Sequence, residues 1–134
     1  MHRLAILLAL APVIAALEAG AQSDPVQAPI LQQFDAFRAG DMALAFSFAS
    51  PTIKGIFGTP ENFGAMVAQG YPMVHHPGSV RMLERRSEGG RLYQRVMVTD
   101  QAGRGYLLDY EMIETPEGWQ INGVSLLPAP GVGA

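Results

Sequence analysis

The sequence predicts an α+β domain: three to four N-terminal helices packed on a curved four-stranded antiparallel meander. Three observations carry this. Apolar residues recur at three- and four-residue spacing up to about residue 70, and from Ser79 they alternate. The alternating runs are separated by short clusters of turn residues, "EGG" (88–90), "DQAG" (100–103) and "TPEG" (115–118). Helices come first and strands after, without interleaving. That order suits helices laid on one face of an antiparallel sheet.

The first segment sets the compartment rather than the fold. Met1-His2-Arg3 is a basic start, "LAILLALAPVIAAL" (4–17) is apolar, and "AGA" (19–21) offers small residues for cleavage. Basic, apolar and small, in that order, is the pattern of a secretory signal peptide. The apolar run of about 14 residues is interrupted by Pro12 and is shorter than the ~20 residues that span a bilayer. The expectation is a signal peptide over 1–21, a single α+β domain over 22–128 and a disordered tail over 129–134, in a periplasmic or secreted protein with no membrane attachment after cleavage.

The first helix lies within "DPVQAPILQQFDAFRAGD" (24–41), where Ile30, Leu31, Phe34 and Phe37 make one apolar stripe. Gly40 suits its end. Asp41 suits a cap for the next helix, "MALAFSFA" (42–49), because its carboxylate can accept from a free backbone N–H. That helix stops before Ser50-Pro51, since a residue preceding proline avoids helical angles. "TIKGIFG" (52–58) forms a turn or two with Ile53, Ile56 and Phe57 on one side. Thr59-Pro60 opens a further helix, threonine as cap and proline at the first position, with Phe63, Met66 and Val67 facing the core and Gly70 at its close.

Four strands follow, "SVRMLERR" (79–86), "RLYQRVMVT" (91–99), "RGYLLDYEMIE" (104–114) and "GWQINGVSLL" (118–127). One register satisfies both faces of the central hairpin. Gln94 opposite Tyr110 sets Val96 against Leu108 and Val98 against Tyr106 on the inner face, and Arg95 against Asp109 outside.

Charge and composition exclude several functions. Loss of Arg3 and Glu18 with the signal leaves 8 basic and 11 acidic side chains, net −3 as before. Mild acidity without a basic patch predicts no nucleic-acid partner. With no cysteine in the chain, disulfides, thiol chemistry and a lipid-modified cysteine are all ruled out, so the core alone holds this exported domain together.

"FRAGDMALAFSFASPTIKGIFGTPENFGAMVAQGYP" followed by "GWQINGVSLLP" resembles an uncharacterised family of exported Gram-negative proteins, known only as a domain of unknown function. The layout is also similar to the ketosteroid-isomerase-like, or nuclear-transport-factor-two-like, cone within the cystatin-like architectures. That resemblance implies a helix-lined cone with a pocket at its mouth. It implies no activity, because such folds host enzymes, binders and adaptors alike.

Candidate chemistry is sparse. "GYPMVHHPGSV" (70–80) holds both histidines downstream of the signal, but adjacent side chains point apart, and a zinc site needs three or four converging ligands. No metal and no cofactor is therefore expected, and the segment reads as a proline-stiffened connector bordering the pocket mouth. An isomerase needs a base; none lies on the inner strand faces, which leaves Asp35 and Asp41 on the helices. No nucleophile elbow or phosphate-binding loop is present. The candidate pocket residues are Tyr71, His75, Gln94, Tyr106, Tyr110 and Trp119, as a site for a small apolar ligand. Their competing reading is structural, with tyrosine rings packed in the sheet core and Gln94 bonding a hydroxyl. Outside, Tyr93, Arg95, Met97 and Asp109 are the candidate interface of a homodimer through the sheet, on a face where Arg81, Arg85, Arg91 and Arg95 cluster. The competing reading is a solvated ion network. Non-catalytic binding or assembly is the functional expectation; a small-molecule enzyme of isomerase or dehydratase type is the alternative.

Overall fold

The structure is a computed structural model describing residues 24–128. The signal-peptide expectation for 1–21 and the tail expectation for 129–134 lie outside the described residues. Five helices precede four strands: α1 Gln27–Arg38, α2 Met42–Ser47, α3 Pro51–Phe57, α4 Pro60–Gly70, α5 Pro72–His75, β1 Pro77–Glu88, β2 Arg91–Asp100, β3 Gly105–Thr115 and β4 Gly118–Leu127. The sheet is a meander in the order β1-β2-β3-β4, every pair antiparallel. The α+β class follows as expected, with one helix more than the sequence reading allowed. The addition is α5, a single turn started by Pro72 inside the segment read as a connector.

Local chemistry sets the helix boundaries. The Asp41 carboxylate accepts from the Leu44 N–H at 3.0 Å, the Ser50 hydroxyl from Ile53 at 3.2 Å and the Thr59 hydroxyl from Asn62 at 3.1 Å. Pro51 and Pro60 occupy first-turn positions, where a missing N–H costs nothing. Gly64 allows α2 and α4 to approach closely, since a Cβ there would lie 2.8 Å from Met42 Sδ.

The predicted register of β2 and β3 is present pair for pair: Gln94 with Tyr110, Arg95 with Asp109, Val96 with Leu108, Val98 with Tyr106. The β1–β2 turn places Gly89 and Gly90 at φ 61° and 78°, the left-handed pair that a two-residue hairpin loop requires. Core residues from the inner sheet face (Val96, Val98, Leu108, Tyr110, Met112, Ile121) meet Ile30, Phe34 and Phe37 of α1, with Phe63 and Val67 of α4.

Three details correct the sequence reading. Leu31 is 41% exposed, and the buried side of α1 is carried instead by Ile30, Gln33, Phe34 and Phe37. Ile56 is 66% exposed, so α3 presents Ile53 and Phe57 but not Ile56 to the interior. A register shift between Met82 and Arg85 reverses the parity of β1. Arg85 consequently joins the inner row with Gln94 and Tyr110, and Arg86 takes its place among the outer arginines. A second irregularity, between Glu111 and Met112 against β4, leaves Asn122 unpaired in the ladder. There the chain entering α3 attaches to β4: Ile121 N–H donates to the Phe48 carbonyl at 2.9 Å and Ser50 N–H to the Ile121 carbonyl at 2.8 Å.

Candidate functional site

Helices α1, α3 and α4 do not fill the whole inner face of the sheet. Between them and β3–β4 lies a partly open cavity of about 240 Å³. Its wall is made by Ile53 and Phe57 of α3, Phe63, Met66 and Val67 of α4, Phe37 of α1, and Ile121 and Val124 of β4. The bulged segment of β4 also contributes Gly123 through its backbone. Polar groups on this wall are few. The Gln33 side-chain amide donates to the Ala45 carbonyl at 3.0 Å. The Tyr71 hydroxyl donates to the Val124 carbonyl at 3.1 Å.

Tyr110 is the exception. It is 0% exposed, its ring is held against Phe34 at 6.1 Å, and its hydroxyl has no hydrogen-bond partner. Burial pushes the phenol pKa well above its ordinary value, and the nearby Tyr71 pushes it further in the same direction. The group is therefore a protonated donor throughout the physiological range. An unpaired buried hydroxyl costs roughly 1–3 kcal/mol of folding free energy.

Of the six candidate pocket residues, Tyr71 and Tyr110 line this cavity and four do not. Gln94 is saturated: its Oε1 accepts from Gln27 Nε2 (3.3 Å) and Arg85 Nε (3.2 Å), and its Nε2 donates to the Leu83 and Arg95 carbonyls (2.9 and 3.0 Å). It pins the β1 bulge and gives no bond to either inner tyrosine. The Tyr106 hydroxyl turns instead to Asp100 Oδ2 at 3.0 Å, closing the β2–β3 hairpin. That bond and two backbone N–H groups help to hold the Asp100 carboxyl below its usual range, with the Arg104 N–H the largest contribution. Trp119 packs on the core from the opposite end of the sheet, beside Leu92 and Met112. The His75 ring lies tilted against Phe37 at 5.8 Å and meets His76 edge-to-face at 4.4 Å, and burial, then the charge of His76, lowers its pKa. It stands behind the cavity wall, not in it. Among the described residues no three His, Cys, Asp or Glu side chains converge as metal ligands.

The two helix-borne acids also lie elsewhere. Asp35 is exposed and pairs with Arg38 at 3.1 Å, while Asp41 caps α2. Neither carboxylate reaches the cavity wall.

Outside, the candidate interface residues are joined to one another. Asp109 is only 5% exposed and takes two bonds from Arg86 (3.1 and 2.8 Å) and one from Arg95 Nε (3.2 Å). Burial alone would raise the Asp109 pKa, but the hydrogen bonds of Arg86 and Arg95 outweigh it and hold the carboxyl below its usual range. Arg95 also reaches Glu84 at 3.0 Å. The Arg86 guanidinium lies over the Tyr93 ring at 4.9 Å. Met97 is half-buried beside Leu107, its cross-strand partner.

The sequence missed the cavity wall. Ile53, Phe57, Met66 and Val67 have the spacing of ordinary core stripes, and a space between stripes leaves no mark on periodicity. The one available signal was α3, a short helix between two capped starts whose apolar residues have little to pack on.

A single antiparallel sheet with helices on one face, bordering a partly open apolar cavity with one uncommitted phenol, defines the class: a small α+β domain with an apolar cavity. The chain belongs to the family described as Domain of unknown function (DUF4864), whose model matches residues 19–134. No curated protein and no solved structure matches it.

Proposed function

We propose that this is an exported, non-catalytic module that binds a small, mostly apolar molecule in the cavity over Tyr110. The observation that carries the proposal is the Tyr110 hydroxyl, fully buried and unpartnered, on a residue that lines an otherwise apolar space. Buried polar side chains are nearly always paired, so an orphan at a cavity wall fits a group kept for a ligand. At about 240 Å³ the cavity exceeds the ~150 Å³ that accommodates benzene in an engineered protein core. The basic, apolar and small-residue order of 1–21 supports export, and the helix-backed sheet supports the cone-like reading with the cavity at its mouth. An isomerase or dehydratase would need a base against the ligand, and the described wall offers no carboxylate or imidazole.

Thermal denaturation of the purified protein with cyclohexanone, acetophenone and toluene tests the reading. A melting temperature that rises with ligand concentration is expected, following the mass-action dependence of a native-state ligand. Ile53→Trp, which fills the cavity from α3, should abolish the rise. No shift with any probe at millimolar concentration overturns the proposal. Cell fractionation with amino-terminal sequencing tests export; a chain confined to the cytoplasm and still beginning at Met1 refutes it.

A second reading concerns the outer face, where Met97, Leu107 and Leu127 form one apolar row across three strands. A homodimer through this row, flanked by Tyr93 and Arg95, would halve in mass in light scattering on Arg95→Glu. A monomer at every concentration removes it.

A further inference from the structure

The polar inventory of the cavity specifies its ligand more narrowly than its shape does. Tyr71 has already committed its O–H to the Val124 carbonyl, and Gln33 turns its amide to the Ala45 carbonyl. Tyr110 alone retains a free O–H. No Arg, Lys, His, Asp or Glu lines the wall among the described residues, so neither a carboxylate nor an ammonium group would find a counter-charge there. A phenol is a better hydrogen-bond donor than acceptor, and the complement of one donor in an apolar wall is one neutral acceptor atom.

We infer that the cavity selects an uncharged, mainly apolar carbonyl compound of about monocyclic size, such as a ketone, ester or lactone, with its oxygen on the Tyr110 hydroxyl. This deepens the binding reading above and rests on it. Ligand binding then removes the unsatisfied hydroxyl, so the carbonyl contributes more here than at a site whose donor is otherwise paired. Discrimination against an isostere lacking the oxygen follows from the same cause, because that isostere leaves the hydroxyl unpaired.

Three nearly isosteric probes separate the possibilities by calorimetry or NMR titration at neutral pH: acetophenone, α-methylstyrene and benzoate. Acetophenone should bind about tenfold more tightly than α-methylstyrene, the ratio expected for one hydrogen bond in an apolar site. Benzoate should show no binding at millimolar concentration. In Tyr110→Phe the acetophenone affinity should fall to that of α-methylstyrene. Equal affinities in the wild type, tight benzoate binding, or a ketone preference that survives Tyr110→Phe would each overturn the carbonyl assignment and leave a ligand cavity standing. If none of the three binds the wild type, the cavity reading fails, and the assignment with it. Ile53→Trp, which leaves the Tyr110 hydroxyl in place, should lose both neutral ligands and so shows that any binding seen occurs in the cavity.

Discussion

Asp109 and Tyr110 are neighbours in β3 and meet opposite fates. Asp109, on the outer face, is a buried charge held by two arginines. Tyr110, one residue on and facing inward, is a buried hydroxyl with no partner at all. Gln94, its cross-strand partner, makes four hydrogen bonds through its side chain. The fold therefore supplies partners generously within a few ångströms of a group it leaves bare. Polar satisfaction marks Asp109 and Gln94 as structural, and its absence at Tyr110 is what the proposed ligand reading rests on.

Breaking the satisfied side should cost the most. Gln94→Leu keeps the volume but removes the partner of the Leu83 carbonyl and of Arg85 Nε, leaving the Arg85 guanidinium with Asp24 alone, and should lower stability by about 3 kcal/mol in urea denaturation. Asp109→Ala comes next, at about 1.5–3 kcal/mol at pH 7, since two charge-assisted pairs are lost. Its effect should be pH-dependent. The folded pKa of Asp109 is depressed, so its contribution is full above the unfolded carboxyl value of about 3.9 and is lost as pH falls through it towards the folded value. The wild-type and Asp109→Ala urea midpoints should accordingly converge as pH is lowered; a constant gap would mean that packing and not charge accounts for the loss. Tyr110→Phe should act with the opposite sign, raising the stability of the ligand-free protein by about 1 kcal/mol through removal of an unpaired hydroxyl. A loss on that substitution would reveal a partner for the hydroxyl and remove the contrast between the two faces. The smallest effect belongs to Arg91→Ala. Its 3.3 Å pair with Glu111 is largely exposed and should contribute only ~0.2–1 kcal/mol by the same denaturation.

The sequence made the hairpin legible but not the cavity, for reasons visible in single residues. Pairing Arg95 with Asp109 and Val96 with Leu108 satisfies both faces at once, and a one-residue slip would have satisfied neither. Helix starts at Asp41 and Thr59 were legible because capping is local. The β1 bulge was not, because Arg85 and Arg86 are the same residue type, and only the three-dimensional partners, Gln94 for one and Asp109 for the other, tell them apart. Tyr110 could be placed on the inner face by parity. That its hydroxyl would lack a partner depends on Gln94 being engaged by Gln27, Arg85 and the bulge, none of which periodicity reports.

The attachment of Phe48 and Ser50 to Ile121 also bears on how copies of this chain behave at high concentration. β4 is an outer strand of an open sheet, and outer strands recruit further strands from other molecules. The two hydrogen bonds at Ile121 occupy the middle of that exposed ladder with the molecule's own backbone. The opposite border, β1, is guarded differently, by a bulge and by Arg81, Glu84, Arg85, Arg86 and Glu88. Each border thus carries a feature that disfavours edge-to-edge pairing, and neither relies on a disulfide.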